Sequence, residues 1–301
     1  MKQRKGYSSK GNLYHRNRKP AGRRNRGTSS IRHFFALLFQ NRWFRGGIAL
    51  LLVLLLFGTL RSCMQYRYDG PDPKQAIREN PYQSESFYFR NGLRYYRDAR
   101  YVSEVGIDVS SHQGKINWNQ VASTGVKFAF VRVGYRGSTA GRIYEDPYFR
   151  RNLTGAKQAG LKVGVYFYSM AANTKEAVEE ARSVVRALKG YDIDYTVTFD
   201  LEVSESSHQG SLSAEEATRI TDAFCKYVKR QGYEPMIYGN PAWLQNNVDL
   251  SRLTAYPVWL AHYTAETGYP YIYKMCQYSS AGRLAGISGR TDMNVMMIPR
   301  G

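Results

Sequence analysis

The chain has 301 residues, of which 43% are hydrophobic and 22% charged, a balance that supports one large folded domain or two small ones and excludes wholesale disorder. Three cysteines in that length are too few for a disulfide framework, so the fold must rest on its own core. A formal charge of +19 would suggest nucleic acid if it were spread evenly, but thirteen of the 43 Lys and Arg fall in residues 1–45 beside no Asp or Glu, leaving 30 against 24 acids, a surplus of six.

Residues 1–45 are rich in Gly, Ser and Asn and nearly devoid of apolar side chains before Ile31. Such a segment cannot offset chain entropy by burial, and it is predicted to be a disordered basic tail. It lacks the aromatic interleaving of a nucleic-acid binder, so no nucleic-acid partner is expected; membrane topology and anionic lipid account for its charge. From Gly46 to Leu60 fifteen residues pass without a charge, bracketed by Arg45 and Arg61. With snorkelling arginines and with Cys63 and Met64 at one interface, residues 46–64 are predicted to form a single transmembrane signal anchor. A cleaved signal peptide competes, but GTLRSCMQ lacks a small-residue cleavage pattern and the basic lead is long. Positive charge stays on the cytoplasmic side, which places everything after Arg61 outside the cytoplasm, at an inner or plasma membrane.

Residues 65–103 form a juxtamembrane connector. Within it, aromatic runs at 86–90 and 93–97 flank Asn91-Gly92, a strong signal for a tight hairpin. Either the hairpin packs its aromatics on the following domain or the segment is a flexible stalk.

From residue 105 short apolar runs alternate with amphipathic stretches. Strands are predicted at 105–109, 128–135, 163–168, 196–201, 236–238, 258–261 and 274–278, and the clearest helices at 174–188 and 213–230. The second helix opens with Ser213 and Glu216 at capping-box spacing, and Gly190 and Gly232 punctuate the two C-termini. Repeated strand then helix predicts an α/β fold with a parallel sheet: over residues 104–301, an irregular (β/α) TIM-like barrel with shortened later helices, an open doubly wound sheet being the alternative. Neither GxGxxG nor GxxxxGK[ST] occurs, so no nucleotide cofactor is expected.

Polar residues collect at the strand ends: Asp108 after the first, Asp200 and Glu202 at the fourth, His262 and Tyr263 at the sixth, Gln277 and Tyr278 at the seventh, and Asp292 after the last. In a parallel barrel these ends open on one face, where active sites are built. Asp200 and Glu202 stand two apart, so they share a face about 6.5 Å apart along the backbone. The charge of Asp200 is expected to raise the pKa of Glu202 and keep it protonated, as a general acid requires. One protonated and one ionised carboxylate is the chemistry of glycoside hydrolysis. A metal centre is a weaker alternative, since no His or Cys stands at ligand spacing and no calcium-type loop occurs. Exposed acids that merely end strands are the bland alternative. Tyr135, Tyr166, Tyr168, Tyr238, Trp259 and Tyr263 lie near strand ends, where flat rings with polar tips can line a sugar groove, whereas Trp118 and Trp243 beside helix starts are expected to pack. Cys225 and Cys276 are expected to be buried, unbonded thiols.

The segment VGIDVSSHQGKINW at 105–118 resembles the opening signature of the family 25 glycoside hydrolases, a lysozyme family. The likeness continues through FAFVR at 128–132, GLKVGVYFYS at 160–169, FDLE at 199–202, IYGN at 237–240, WLAHY at 259–263, QYSS at 277–280 and DMN at 292–294. It implies an irregular barrel of eight strands with fewer helices, and cleavage of the β-1,4 bond between N-acetylmuramic acid and N-acetylglucosamine in peptidoglycan. By position, Glu202 would be the catalytic acid, Asp200 its partner on the same strand, and Asp108 and Asp292 the remaining carboxylates. Tyr135, Tyr168, Tyr238, Trp259, Tyr263 and Gln277 would bind substrate. A non-catalytic glycan-binding envelope protein and a hydrolase of another N-acetylated glycan are the alternatives.

Overall fold

A computed structural model describes residues 67–203, 206–264 and 267–301 of the chain. The predicted tail at 1–45 and the predicted span at 46–64 lie outside the described residues, and among the described residues no helix is long and apolar enough to cross a membrane.

Strands β1 (Phe87–Arg90) and β2 (Leu93–Tyr96) form the hairpin that Asn91-Gly92 signals. Both turn residues take positive φ, 52° and 76°, as a two-residue turn matched to strand twist requires. The hairpin is packed rather than stalk-like. Leu93 and Tyr96 are 3% and 1% exposed within the main core. Tyr82, just upstream, meets Tyr96, Tyr101 and Tyr273 edge to face at 5.5, 5.1 and 4.8 Å.

The barrel strands are β3 (Tyr101–Val109), β4 (Phe128–Arg136), β6 (Lys162–Ser169), β7 (Val197–Leu201), β8 (Pro235–Gly239), β9 (Val258–Ala261), β10 (Met275–Gly282) and β11 (Thr291–Pro299); short β5 (Ile143–Glu145) folds back on β4. Each apolar run predicted from sequence is one of these strands. Pairing of β3 with both β4 and β11 closes eight strands into a barrel, which overturns the open-sheet alternative.

Helices α1 (Trp118–Ser123), α2 (Phe149–Gln158), α3 (Thr174–Ala187), α4 (Ala214–Arg230) and α5 (Pro241–Asn246) serve the earlier crossovers. Asn173 caps α3, and Ser213 with Glu216 makes the expected capping box on α4. Strict (β/α) alternation fails at the end of the chain. Among the described residues neither the β9–β10 nor the β10–β11 connection contains a helix, and the latter is too short for a crossover, so β11 returns antiparallel to both its neighbours. Asp292 therefore does not follow the last strand. It lies near the start of β11, and because that strand runs backwards, its start is level with the C-terminal ends of the others.

Two cores result. Outside the barrel, outward residues such as Ile107, Val131 and Phe199 pack under the helices, Phe199 stacking on Phe224 of α4 at 4.3 Å. Inside, Phe128, Phe130, Met236, Trp259, Met275 and Met296 fill the bore. The two phenyl rings fit because Gly106 and Gly164 face them, and a Cβ at either glycine would overlap a ring. Cys225 and Cys276 are free and buried.

Candidate active site at the mouth of the barrel

Asp108 and Asp292 are direct partners across the β3–β11 ladder, so their side chains share the inward face. One oxygen of Asp108, Oδ2, accepts from Gln277 Nε2 at 2.8 Å and from Asn294 Nδ2 at 2.7 Å. Asn294 Oδ1 in turn accepts from the Trp259 indole at 2.8 Å, and Gln277 Oε1 accepts from the hydroxyls of Tyr238 at 2.9 Å and Tyr263 at 2.8 Å. Burial, and then the neighbouring Asp292, push the Asp108 carboxyl up to about 7 against the pull of those two amides. Asp292 is also raised by burial, with His112 pulling the other way.

Asp200 and Glu202 come from β7 and the residue just past it. Asp200 is 7% exposed and one of its oxygens, Oδ1, has no hydrogen-bond partner. Glu202 is exposed, and the Tyr168 hydroxyl donates to its Oε2 at 3.1 Å. Burial, followed by the charges of Glu202 and Asp108, holds the Asp200 carboxyl well above the usual carboxylate range, while Arg132 acts in the opposite sense. Desolvation of the buried Asp200 is the largest cause of that rise, ahead of the neighbouring charges. The water-facing member, Glu202, is the one a substrate can reach.

The expected substrate-binding residues divide. Tyr168 and Tyr238 are half-buried at the mouth, Tyr263 is 56% exposed, and Tyr135 stacks on Tyr144 at 5.4 Å. Trp259 and Gln277 lie deeper. Trp259 is 1% exposed, packed inside the bore against Phe130, Tyr166 and Tyr238. Gln277 is 4% exposed with its amide engaged on both sides. Both point inward, Gln277 bonded to Asp108 and Trp259 reaching it through Asn294. Two residues escaped the sequence reading. Asn294 is fully buried, and its signal was a lone amide in the apolar run MNVMMI. Arg132 carries the one charge in FAFVRVGY; its guanidinium binds Asp146 (Nε at 2.9 Å, Nη2 at 2.8 Å) and donates to Ser111 Oγ at 3.2 Å. Among the described residues no group of His, Cys, Asp and Glu is arranged to hold a metal ion.

Residues 107–287 match the glycosyl hydrolases family 25. The chain belongs to that family. It is 28% identical over 190 residues to an autolytic lysozyme of Clostridium acetobutylicum, covering 63% of this chain and 54% of the relative, and 30% identical over 201 residues to lysozyme M1 of Streptomyces globisporus, covering 63% and 66%. Among solved structures it is similar to the modular autolysin LytC of Streptococcus pneumoniae, determined with a synthetic peptidoglycan ligand, at 25% identity and TM-score 0.60 over 70% of this chain and 52% of LytC. A family 25 glycosyl hydrolase from Bacillus anthracis shares the fold at 22% identity and TM-score 0.55, over 67% of this chain and 92% of its own. The chain thus spans about half the length of the autolytic lysozyme and of LytC.

Proposed function

We propose that this family 25 protein is a muramidase that hydrolyses the β-1,4 bond between N-acetylmuramic acid and N-acetylglucosamine in peptidoglycan. The observation that carries the reading is the unequal pair at the end of β7: an exposed Glu202 beside a buried Asp200 whose carboxyl is held well above the usual carboxylate range. When a glycan covers the mouth, water leaves Glu202, its charged form loses solvation, and the proton of the pair moves toward it. Glu202 delivers that proton to the glycosidic oxygen as its bond to the anomeric carbon breaks, Asp200, left ionised, faces the positive charge developing on the sugar, and a water molecule that yields a proton to the carboxylate pair supplies the hydroxyl that completes the hydrolysis. Asp108 and Asp292 add negative potential on the same side, with Tyr168 orienting Glu202 and Tyr135, Tyr238 and Tyr263 bordering the groove. Relatives named as lysozymes and a structural neighbour solved with a peptidoglycan ligand support the substrate.

In the same reading the chain divides into a cytoplasmic tail at 1–45, a membrane anchor at 46–64, a connector at 65–103 and the hydrolase barrel at 104–301, with the barrel outside the cytoplasm. The charge bias before Gly46 supports that orientation. Mass spectrometry of products released from purified peptidoglycan tests the activity: a reducing muramic acid end is expected, and a reducing glucosamine end or no product overturns it. For the anchor, protein extracted from membranes is expected to keep its N-terminus; a mature chain starting near Cys63 overturns that part.

A further inference from the structure

The β1–β2 hairpin precedes the family 25 match at 107–287, yet it is docked beside the mouth. Arg94 on β2 is 3% exposed; its Nη1 donates to the Thr264 carbonyl at 3.0 Å, and its backbone amide donates to the Tyr278 hydroxyl at 3.3 Å. Between hairpin and barrel lies a cavity of about 450 Å3, walled by Phe89, Asn91 and Arg94 on one side and by Tyr263, Tyr278 and Arg283 on the other. Tyr263 links it to the catalytic groups: its hydroxyl donates to Gln277, which holds Asp108.

The chemistry of this cavity is opposite to that of the mouth. Among the described residues no Asp or Glu lines it. Arg283 is exposed and has no carboxylate partner among the described residues. Phe89 and Tyr263 leave 65% and 56% of their surface in water, an exposure of large rings that marks a contact surface. A neutral disaccharide calls for rings and hydroxyl partners, whereas a free guanidinium beside rings suits a carboxylate on a flexible, partly apolar chain. In peptidoglycan the peptides that branch from the glycan carry carboxylates, and the cavity adjoins the mouth through Tyr263, which lines it and bonds the Gln277 that holds Asp108.

We infer that this flanking cavity is a subsite for the carboxylate-bearing peptide branch of a glycan held in the mouth, with Arg283 as its anion contact and Phe89 and Tyr263 as its apolar walls. The inference rests on the muramidase reading. The test uses the full chain and two substrates, soluble glycan strands carrying their peptides and the same strands after enzymatic removal of the peptides and amidation of the lactyl carboxylates that this removal uncovers. Wild-type protein is expected to prefer the peptide-bearing strands. Arg283→Ala should cut the ratio of kcat/KM for the two substrates about tenfold, through KM, as loss of one charge-assisted hydrogen bond implies, and Arg283→Lys should restore part of it. Phe89→Ala, at an exposed position, should lower the same ratio. Cleavage of both substrates with no wild-type preference, or an unchanged ratio in Arg283→Ala, overturns the subsite and leaves the muramidase reading standing. Cleavage of neither substrate overturns both.

Discussion

Asp200 and Glu202 have nearly the same chemistry, and their surroundings alone give them different work. Glu202→Gln keeps volume and the Tyr168 partner but cannot deliver a proton, so turnover should fall by about 10²–10⁴ while the melting temperature holds. A variant that melts normally and turns over at near wild-type rate would remove the acid from Glu202. Asp200→Asn should also be severely impaired. Its residual rate should show a basic limb moved to lower pH, because the amide removes the raised carboxyl whose proton the pair shares. Initial rate against pH on soluble peptidoglycan fragments checks this, and a limb that stays in place or moves upward counts against a shared proton. Asp108 illustrates the same dependence on surroundings: two amides steady its charge, yet burial and Asp292 outweigh them.

At the scale of elements, α4 supports β7 from behind. Its apolar face buries Ala217, Ile220, Phe224 and Val228, and Phe224 stacks on Phe199, one residue before Asp200. Phe224→Ala should cost about 3–5 kcal/mol by transfer and cavity terms. Ser213→Ala should cost only about 1 kcal/mol, since it removes one capping partner at an exposed end. Urea denaturation should show a lower midpoint at unchanged slope for Ser213→Ala; equal costs for the two variants would mean that packing behind β7 is not what holds it. Helix α3 shows an element whose buried face was only partly legible. Ala177, Ala181 and Val184 lie inward at helical spacing, but Glu180 is fully buried among them. Arg136 on β4 pairs with Glu180 at 2.5 Å and Ser169 on β6 donates to it at 2.6 Å, so residues far away in sequence make a carboxylate acceptable in the core.

For the molecule as a whole, buried carboxyls make stability depend on pH. Burial raises both Asp108 and Glu180 to about 7, whereas the unfolded chain releases the same protons near pH 4. Between those values the folded state binds more protons, so this stabilisation is complete below about pH 4 and is lost as pH rises toward 7. For Asp108 alone the loss is about 2–4 kcal/mol. The melting temperature should fall from pH 5 to pH 8, and Asp108→Asn should flatten the fall. A wild-type melting temperature that is level or rising across that range would contradict the burial argument.

What the sequence determined by itself is local. Asn91-Gly92 turns a hairpin through its own backbone preferences, Ser213 and Glu216 cap α4 from three residues apart, and apolar runs mark the strands. Acids at the strand ends were legible for the same reason, since a strand's end is set within a few residues. Only the tertiary structure decided how those ends combine. Closure by an antiparallel β11 places Asp292 opposite Asp108, and it brings Gln277 and Asn294, 169 and 186 residues away from Asp108, onto one carboxylate oxygen. It buries Trp259 in the bore, and it takes Asp200 out of water while leaving Glu202 exposed. Those outcomes turn on desolvation and on charges across strands, and both depend on which surfaces the closed barrel removes from water.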